Sequence, residues 1–196
     1  MQFQSKEHIH RALSLLGQLL DAARGNPISL LVCGGASLIL LGQVTRTTED
    51  IDVLTYFENE PVDQFHLKRH TDFPQEIKRL MGRVAADMDI NEKWLNLGPS
   101  SLVQIGLPDG LLTRIHSKRY GKSLTALYLD RLDQIHLKLY ASLSGDERHI
   151  QDLIILKPTD KELLQAKKWI ETVMLDAVLP SDLEDMIRKM GYGHII

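Results

Sequence analysis

The chain has 196 residues, 43% of them hydrophobic and 25% charged, and a formal net charge of −3. This is the composition of a folded globular protein with a core of its own. It excludes a disordered chain and a uniformly cationic coat for nucleic acid. A single cysteine, Cys33, excludes an intramolecular disulfide and a cysteine-rich zinc site. No apolar run approaches the roughly 18 residues of a membrane span, and the first residues, MQFQSKEHIHR, lack the apolar stretch of a secretory signal. A cytoplasmic protein with no membrane partner is expected.

In chain order, Ile9, Leu13, Leu16, Leu20 and Ala23 recur at three- and four-residue spacing and predict an amphipathic helix over 6–24. Gly25-Asn26-Pro27 stops it. The apolar run 28–33 suits a buried strand. Gly34-Gly35 breaks that run, and a short helix is predicted over 36–42. A second strand is predicted over 51–56, with Ile51 and Val53 on one face and Asp50 and Asp52 on the other. Residues 57–75 read as loops and a short helix, and 75–88 as a helix on Ile77, Leu80, Met81, Val84, Ala85 and Met88. Residues 94–107 match neither period. Strands are predicted over 111–115 and 123–129, joined around Tyr120-Gly121. From Asp130 onward the pattern is helical. Leu132, Ile135, Leu139 and Leu143 share one face, and Ile150, Leu153 and Ile154 another. Further helices are predicted over 161–174 and 181–190, with Pro158 and Pro180 near their starts. The pattern predicts a mixed α/β chain with a boundary near residue 130.

The chemistry concentrates in Val32-Cys33-Gly34-Gly35-Ala36-Ser37 and in Arg46-Thr47-Thr48-Glu49-Asp50-Ile51-Asp52-Val53. A glycine pair between a strand and a helix lets backbone approach a ligand closely. The N–H groups that open the helix favour phosphate, and Ser37 adds a hydroxyl donor. Asp50 and Asp52, two apart on a strand, leave the same face, and such carboxylates repel unless a cation joins them. Oxygen-only ligation with room for phosphate oxygens suits Mg²⁺. Taken singly, the glycines would be a turn and the aspartates a solvated strand edge. Together they are the equipment of metal-assisted phosphoryl or nucleotidyl transfer. Arg46, Thr47 and Thr48 either position phosphate or cap the strand.

These two motifs resemble those of the nucleotidyltransferase superfamily with the DNA polymerase β-like fold. The resemblance implies an α/β (α+β) architecture, a small mixed sheet with flanking helices and a helical C-terminal part. It divides the chain into a nucleotidyltransferase-like core, 1–129, and a helical region, 130–196, packed on the core as one unit. It makes Gly34, Gly35 and Ser37 the nucleotide contacts and Asp50 and Asp52 the catalytic metal ligands for Mg²⁺ or Mn²⁺. A third carboxylate is expected on a neighbouring strand, with Asp130 and Asp89 as candidates.

The stretches Ile135-His136-Leu137-Lys138-Leu139 and Arg148-His149-Ile150-Gln151-Asp152-Leu153 are similar to the C-terminal part of bacterial nucleotidyltransferase-like proteins. Those are related to toxins of type IV, abortive-infection toxin–antitoxin systems. The similarity assigns catalytic roles to Lys138 and Asp152, with Lys138 also binding the nucleotide. The plain alternatives are a lysine that snorkels to solvent and a surface pair between Arg148 and Asp152. The basic stretch 114–122 is either a solvated hairpin tip or a phosphate-binding patch with Tyr120 stacking on a base. Trp94, Trp169 and Cys33 are expected in the core, and the scattered histidines predict no zinc site.

The expected function is transfer of a nucleoside monophosphate from a nucleoside triphosphate to an acceptor hydroxyl. The acceptor would be RNA in the toxin-like reading, with an antitoxin protein as partner; a protein side chain or a small molecule are the other acceptors. The alternatives are a non-catalytic nucleotide- or partner-binding module on the same fold and a metal-dependent phosphohydrolase.

Overall fold

Ile28–Cys33 (β1) is the middle strand of a mixed five-stranded sheet in a computed structural model that describes residues 3–174 and 180–196. Its neighbours are Ile51–Glu58 (β2), antiparallel, and Leu124–Tyr128 (β5), parallel. Leu95–Asn96 (β3) lies outside β2 and His116–Arg119 (β4) outside β5. A central strand is covered on both faces, which is why 28–33 reads as continuously apolar rather than alternating. Four of its six residues, Leu30, Leu31, Val32 and Cys33, are buried in sequence, and so is Ile28.

The chain divides into two compact units, Met1–Asp130 and Arg131–Ile196. In the first, helix Lys6–Ala23 (α1) starts at Ser5, whose hydroxyl accepts from the His8 N–H, and ends at Arg24 in the left-handed conformation. It buries Ile9, Leu13, Leu16 and Leu20; Ala23, expected on that stripe, is exposed. Helix Gly34–Leu40 (α2) follows β1 directly, two residues earlier than its apolar pattern suggests. Helix Gln75–Met88 (α3) packs on α1. Trp94 is wholly buried, with its indole N–H donating to the Met81 carbonyl at 3.1 Å.

Two expectations fail for reasons of turn chemistry. Residues 111–115 are not a strand. Gly110 is left-handed, Leu111 and Thr113 donate back to Pro108 and Gly110, and the Thr113 hydroxyl closes the turn on Gly110 at 2.7 Å. A 3-10 turn forms over Leu111–Thr113, and the strand begins only at His116. Residues 59–74 hold no helix. Side chains of β2 tie that segment down instead, Thr55 to the Lys68 carbonyl at 2.6 Å and Tyr56 to that of Asp72 at 3.3 Å. In the undecided stretch, β3 is followed by a 3-10 turn, Gly98–Ser101, and the four-residue helix Leu102–Ile105 (α4).

The second unit is helical among its described residues: Arg131–Ser142 (α5), Glu147–Leu156 (α6), Asp160–Val173 (α7) and Pro180–Lys189 (α8). Thr159 and Glu162 form a reciprocal capping box that starts α7. Helix α5 packs on both α6 and α7 and is buried over most of its circumference, Asp133, Gln134 and Lys138 included. Ile154, expected on the buried face of α6, is half exposed. No helix among the described residues is long and apolar enough to cross a membrane.

Gly17 of α1 provides a test of the first unit's packing. A Cβ there would lie 1.7 Å from the Tyr120 carbonyl oxygen, a backbone atom that cannot swing aside. Gly17→Ala is expected to cost about 1–3 kcal/mol through overpacking. Urea unfolding measures it, and an unchanged midpoint would show that the helix and hairpin do not meet in this way.

Candidate active site

The candidate site lies at the end of the sheet where β1 finishes and β2 begins. A register shift between Leu31 and Val32 leaves Leu54 as an extra residue on β2, so that Val32 faces Val53 and Cys33 faces Asp52. The bulge carries Asp52 level with the end of β1, beside the glycine pair. Gly34 has φ +67°, a conformation costly for any residue with a Cβ. A Cβ there would also lie 2.6 Å from the Asp52 Oδ2. Gly34 therefore meets two demands at once, a left-handed backbone and a carboxylate lying against its Cα.

Gly35 makes room for a cation. A Cβ at this position would lie 2.8 Å from the Arg46 Nη2 and 3.1 Å from the Thr48 hydroxyl oxygen. The loop that brings them is fixed by a residue near the start of the chain. Phe3 and Thr48 exchange two backbone hydrogen bonds, of 2.7 and 3.1 Å. The Arg46 Nη1 donates to the Thr47 carbonyl at 2.9 Å, and the Thr48 hydroxyl donates to the Asp50 carbonyl at 3.2 Å. Thr48 caps the entry to β2, while Arg46 lays its guanidinium against the glycine pair.

Asp50 is the residue before β2. Its Oδ2 accepts from the Asn96 Nδ2 at 2.9 Å. Asn96 stands opposite Asp52 on β3, the strand beside β2. Sequence reasoning missed Asn96, because a two-residue strand leaves no periodicity to read. No group of three or more His, Cys, Asp or Glu side chains among the described residues is arranged to hold a metal ion. A cation here would have the pair Asp50 and Asp52 as its protein donors. Two carboxylates leave most of an octahedral shell to water and phosphate oxygens, which fits Mg²⁺.

Ser37, expected to donate to phosphate, is instead fully buried, and its hydroxyl points to the Leu129 carbonyl at 3.4 Å. It links α2 to the end of β5. Of the two candidates for a third carboxylate, Asp89 is the exposed, left-handed C-cap of α3. Asp130 follows β5 beside the end of β1, where it accepts from the His116 Nε2 at 3.1 Å. Tyr120 is not a stacking platform either. It is buried, with its hydroxyl 2.5 Å from the His10 Nδ1 and 2.6 Å from the Tyr128 hydroxyl. Burial pushes the phenols of Tyr120 and Tyr128 up from their ordinary value. The basic residues Lys118 and Arg119 are exposed on β4.

In the second unit, Lys138 and Asp152 meet. The Lys138 Nζ lies 2.8 Å from the Asp152 Oδ2, and their side chains are 7% and 1% exposed. Lys138 does not snorkel; α6 supplies a buried counter-charge. Arg148 pairs with Asp146, the N-cap of α6, at 2.8 Å. His149, not singled out by sequence, places its Nδ1 3.3 Å from the Lys138 Nζ. Burial first, and the lysine charge second, hold its imidazole below the ordinary value.

A family model described as nucleotidyltransferase of unknown function (DUF6036) matches residues 10–190. No curated protein and no solved structure matches the chain.

Removing one partner of a buried ion pair strands the other charge. Lys138→Met or Asp152→Leu alone is therefore expected to cost about 3–5 kcal/mol, and the double replacement much less than their sum. Equilibrium unfolding of the three variants checks this; additive losses would contradict it. His149 sets a pH dependence. As pH falls below about 6.5, the unfolded chain takes up the proton first, so stability is full above that value and is lost toward lower pH. His149→Gln should flatten this part of the stability–pH curve, and an unchanged slope would exclude His149 as its source.

Proposed function

The chain belongs to a family of nucleotidyltransferases of unknown function, and from that premise we propose that it moves a nucleoside monophosphate from a nucleoside triphosphate to an acceptor hydroxyl, with Mg²⁺ held by Asp50 and Asp52. The observation that carries this reading is the placement of the Asp52 carboxylate against Gly34, with the Arg46 guanidinium against Gly35. An acidic and a cationic group thus flank one glycine pair at the end of a central strand.

In this reading each residue has a separate task. The Arg46 guanidinium draws the phosphates toward the glycine pair and offers a planar fork of donors to their oxygens. Gly34 and Gly35 keep side chains out of the space that a triphosphate needs. Asp50 and Asp52 would hold the cation, which would supply charge stabilisation to the reacting phosphate. Positioning and charge stabilisation, rather than covalent chemistry by a side chain, supply the rate. The resemblance to toxins of toxin–antitoxin systems favours RNA as acceptor and an antitoxin as partner.

Incubation with each α-³²P-labelled triphosphate, Mg²⁺, and total cell RNA and protein tests the reading. Label is expected on a macromolecule, and its nature names the acceptor. Asp50→Ala and Asp52→Ala should each lower transfer on the order of a hundredfold to a thousandfold, the loss of several kcal/mol of charge stabilisation. Full activity in the double variant would sink the mechanism. Gly34→Ala should act like a lost aspartate, because its Cβ displaces the Asp52 carboxylate. Metal-dependent triphosphate binding without pyrophosphate release would point to the binding-module alternative. Release of phosphate or monophosphate with no labelled acceptor would point to a phosphohydrolase.

A further inference from the structure

We propose that Asn96 is a positioning residue for this site: it fixes the carboxylate of Asp50 from the neighbouring strand and thereby sets how Asp50 and Asp52 share a cation. The inference rests on the function proposed above for the two aspartates.

Three observations carry it. The Asn96 Nδ2 donates to the Asp50 Oδ2 at 2.9 Å. The Asn96 Oδ1 accepts from the Gly98 N–H at 2.8 Å. Finally, Asn96 pairs with Asp52 in the β2–β3 ladder, so a single residue adjoins one aspartate through backbone and the other through its side chain. The Gly98 bond also settles which end of the amide faces Asp50. A backbone N–H can only donate, so it takes the amide oxygen and turns the NH₂ toward the carboxylate. Gly98 is suited to this, since a Cβ there would lie 2.9 Å from the Asn96 Oδ1.

The chemistry requires an amide at 96. A carboxylate there would keep the bond from Gly98 but turn an acceptor toward an acceptor, placing a third negative charge beside Asp50. A neutral donor does the opposite. It occupies one lone-pair direction of Oδ2, restrains the carboxylate's rotation and adds no charge. Asp50 and Asp52 then meet a cation in a pre-set arrangement rather than being ordered by it.

Asn96→Asp isolates this contact, because it preserves the turn to Gly98 and reverses only the group facing Asp50. The first measurement is the melting temperature of the metal-free protein in a cycle of wild type, Asn96→Asp, Asp50→Asn and the double variant. Asn96→Asp is expected to lower the melting temperature by roughly 2–4 °C when Asp50 is present. It should lower it much less with Asp50→Asn, where the repulsion from Asp50 is gone. An equal loss in both backgrounds, or none in either, would overturn the contact. The second measurement is the rise in melting temperature with Mn²⁺. It should be larger for Asn96→Asp than for wild type, because the added carboxylate needs the cation. Identical Mn²⁺ responses would overturn a role in cation sharing even if the cycle shows coupling. In the transfer assay, Asn96→Asp should lower kcat about tenfold with KM for the triphosphate nearly unchanged; an unaltered kcat would count against positioning. Should Asp50→Ala retain full transfer, the proposed function fails, while the metal-free cycle still decides whether Asn96 holds Asp50.

Discussion

The pairing of Cys33 with Asp52 across β1 and β2 is the constraint on which the site depends. It follows from one extra residue, Leu54, that slips the register between Leu31 and Val32. Without that slip Asp52 would stand opposite Gly34 rather than opposite Cys33, the last residue of β1. The glycine's left-handed backbone and its missing side chain are two consequences of the same close approach. Burial on both sides of the bulge, with Val53 and Leu54 both in the core, keeps the register from relaxing.

Around that pairing, groups distant in sequence act through simple contacts. Phe3 pins Thr48 through backbone, which holds the loop carrying Arg46. Phe3 in turn stands edge-on to the buried Trp94, one residue before β3. The apolar core and the polar edge are therefore linked through a few residues near the start of β2. Each of Gly34, Gly35 and Gly98 leaves room for a polar group of another residue: the Asp52 carboxylate, the Arg46 guanidinium and the Asn96 amide oxygen.

The second unit spends its polar groups differently. Lys138 and Asp152 neutralise each other inside helical packing, and burial, with the lysine charge beside it, holds the His149 imidazole below its ordinary value. A buried pair of this kind contributes little net stability compared with an apolar replacement, but it strongly penalises any arrangement that separates the two charges. It specifies how α5 meets α6 more than it strengthens that meeting.

Much of the fold was legible in the sequence by itself. The helices over 6–23 and 75–88, the strand over 28–33 and the helical run after 130 follow from spacing of apolar residues, because burial imposes a period of about 3.6 or 2 on each element. The glycine pair and the aspartates were legible as well, since their demands on backbone and charge are local. Tertiary structure alone decided that Ser37 is buried under the Leu129 carbonyl, that Tyr120 is sealed between His10 and Tyr128, and that Asn96 reaches Asp50. It also chose Asp152 as the partner of Lys138. Most of these join residues far apart in sequence, from 14 residues between Lys138 and Asp152 to 110 between His10 and Tyr120. No local pattern encodes such a pair; it exists only once strand order, the β1–β2 bulge and helix packing have set which side chains face each other.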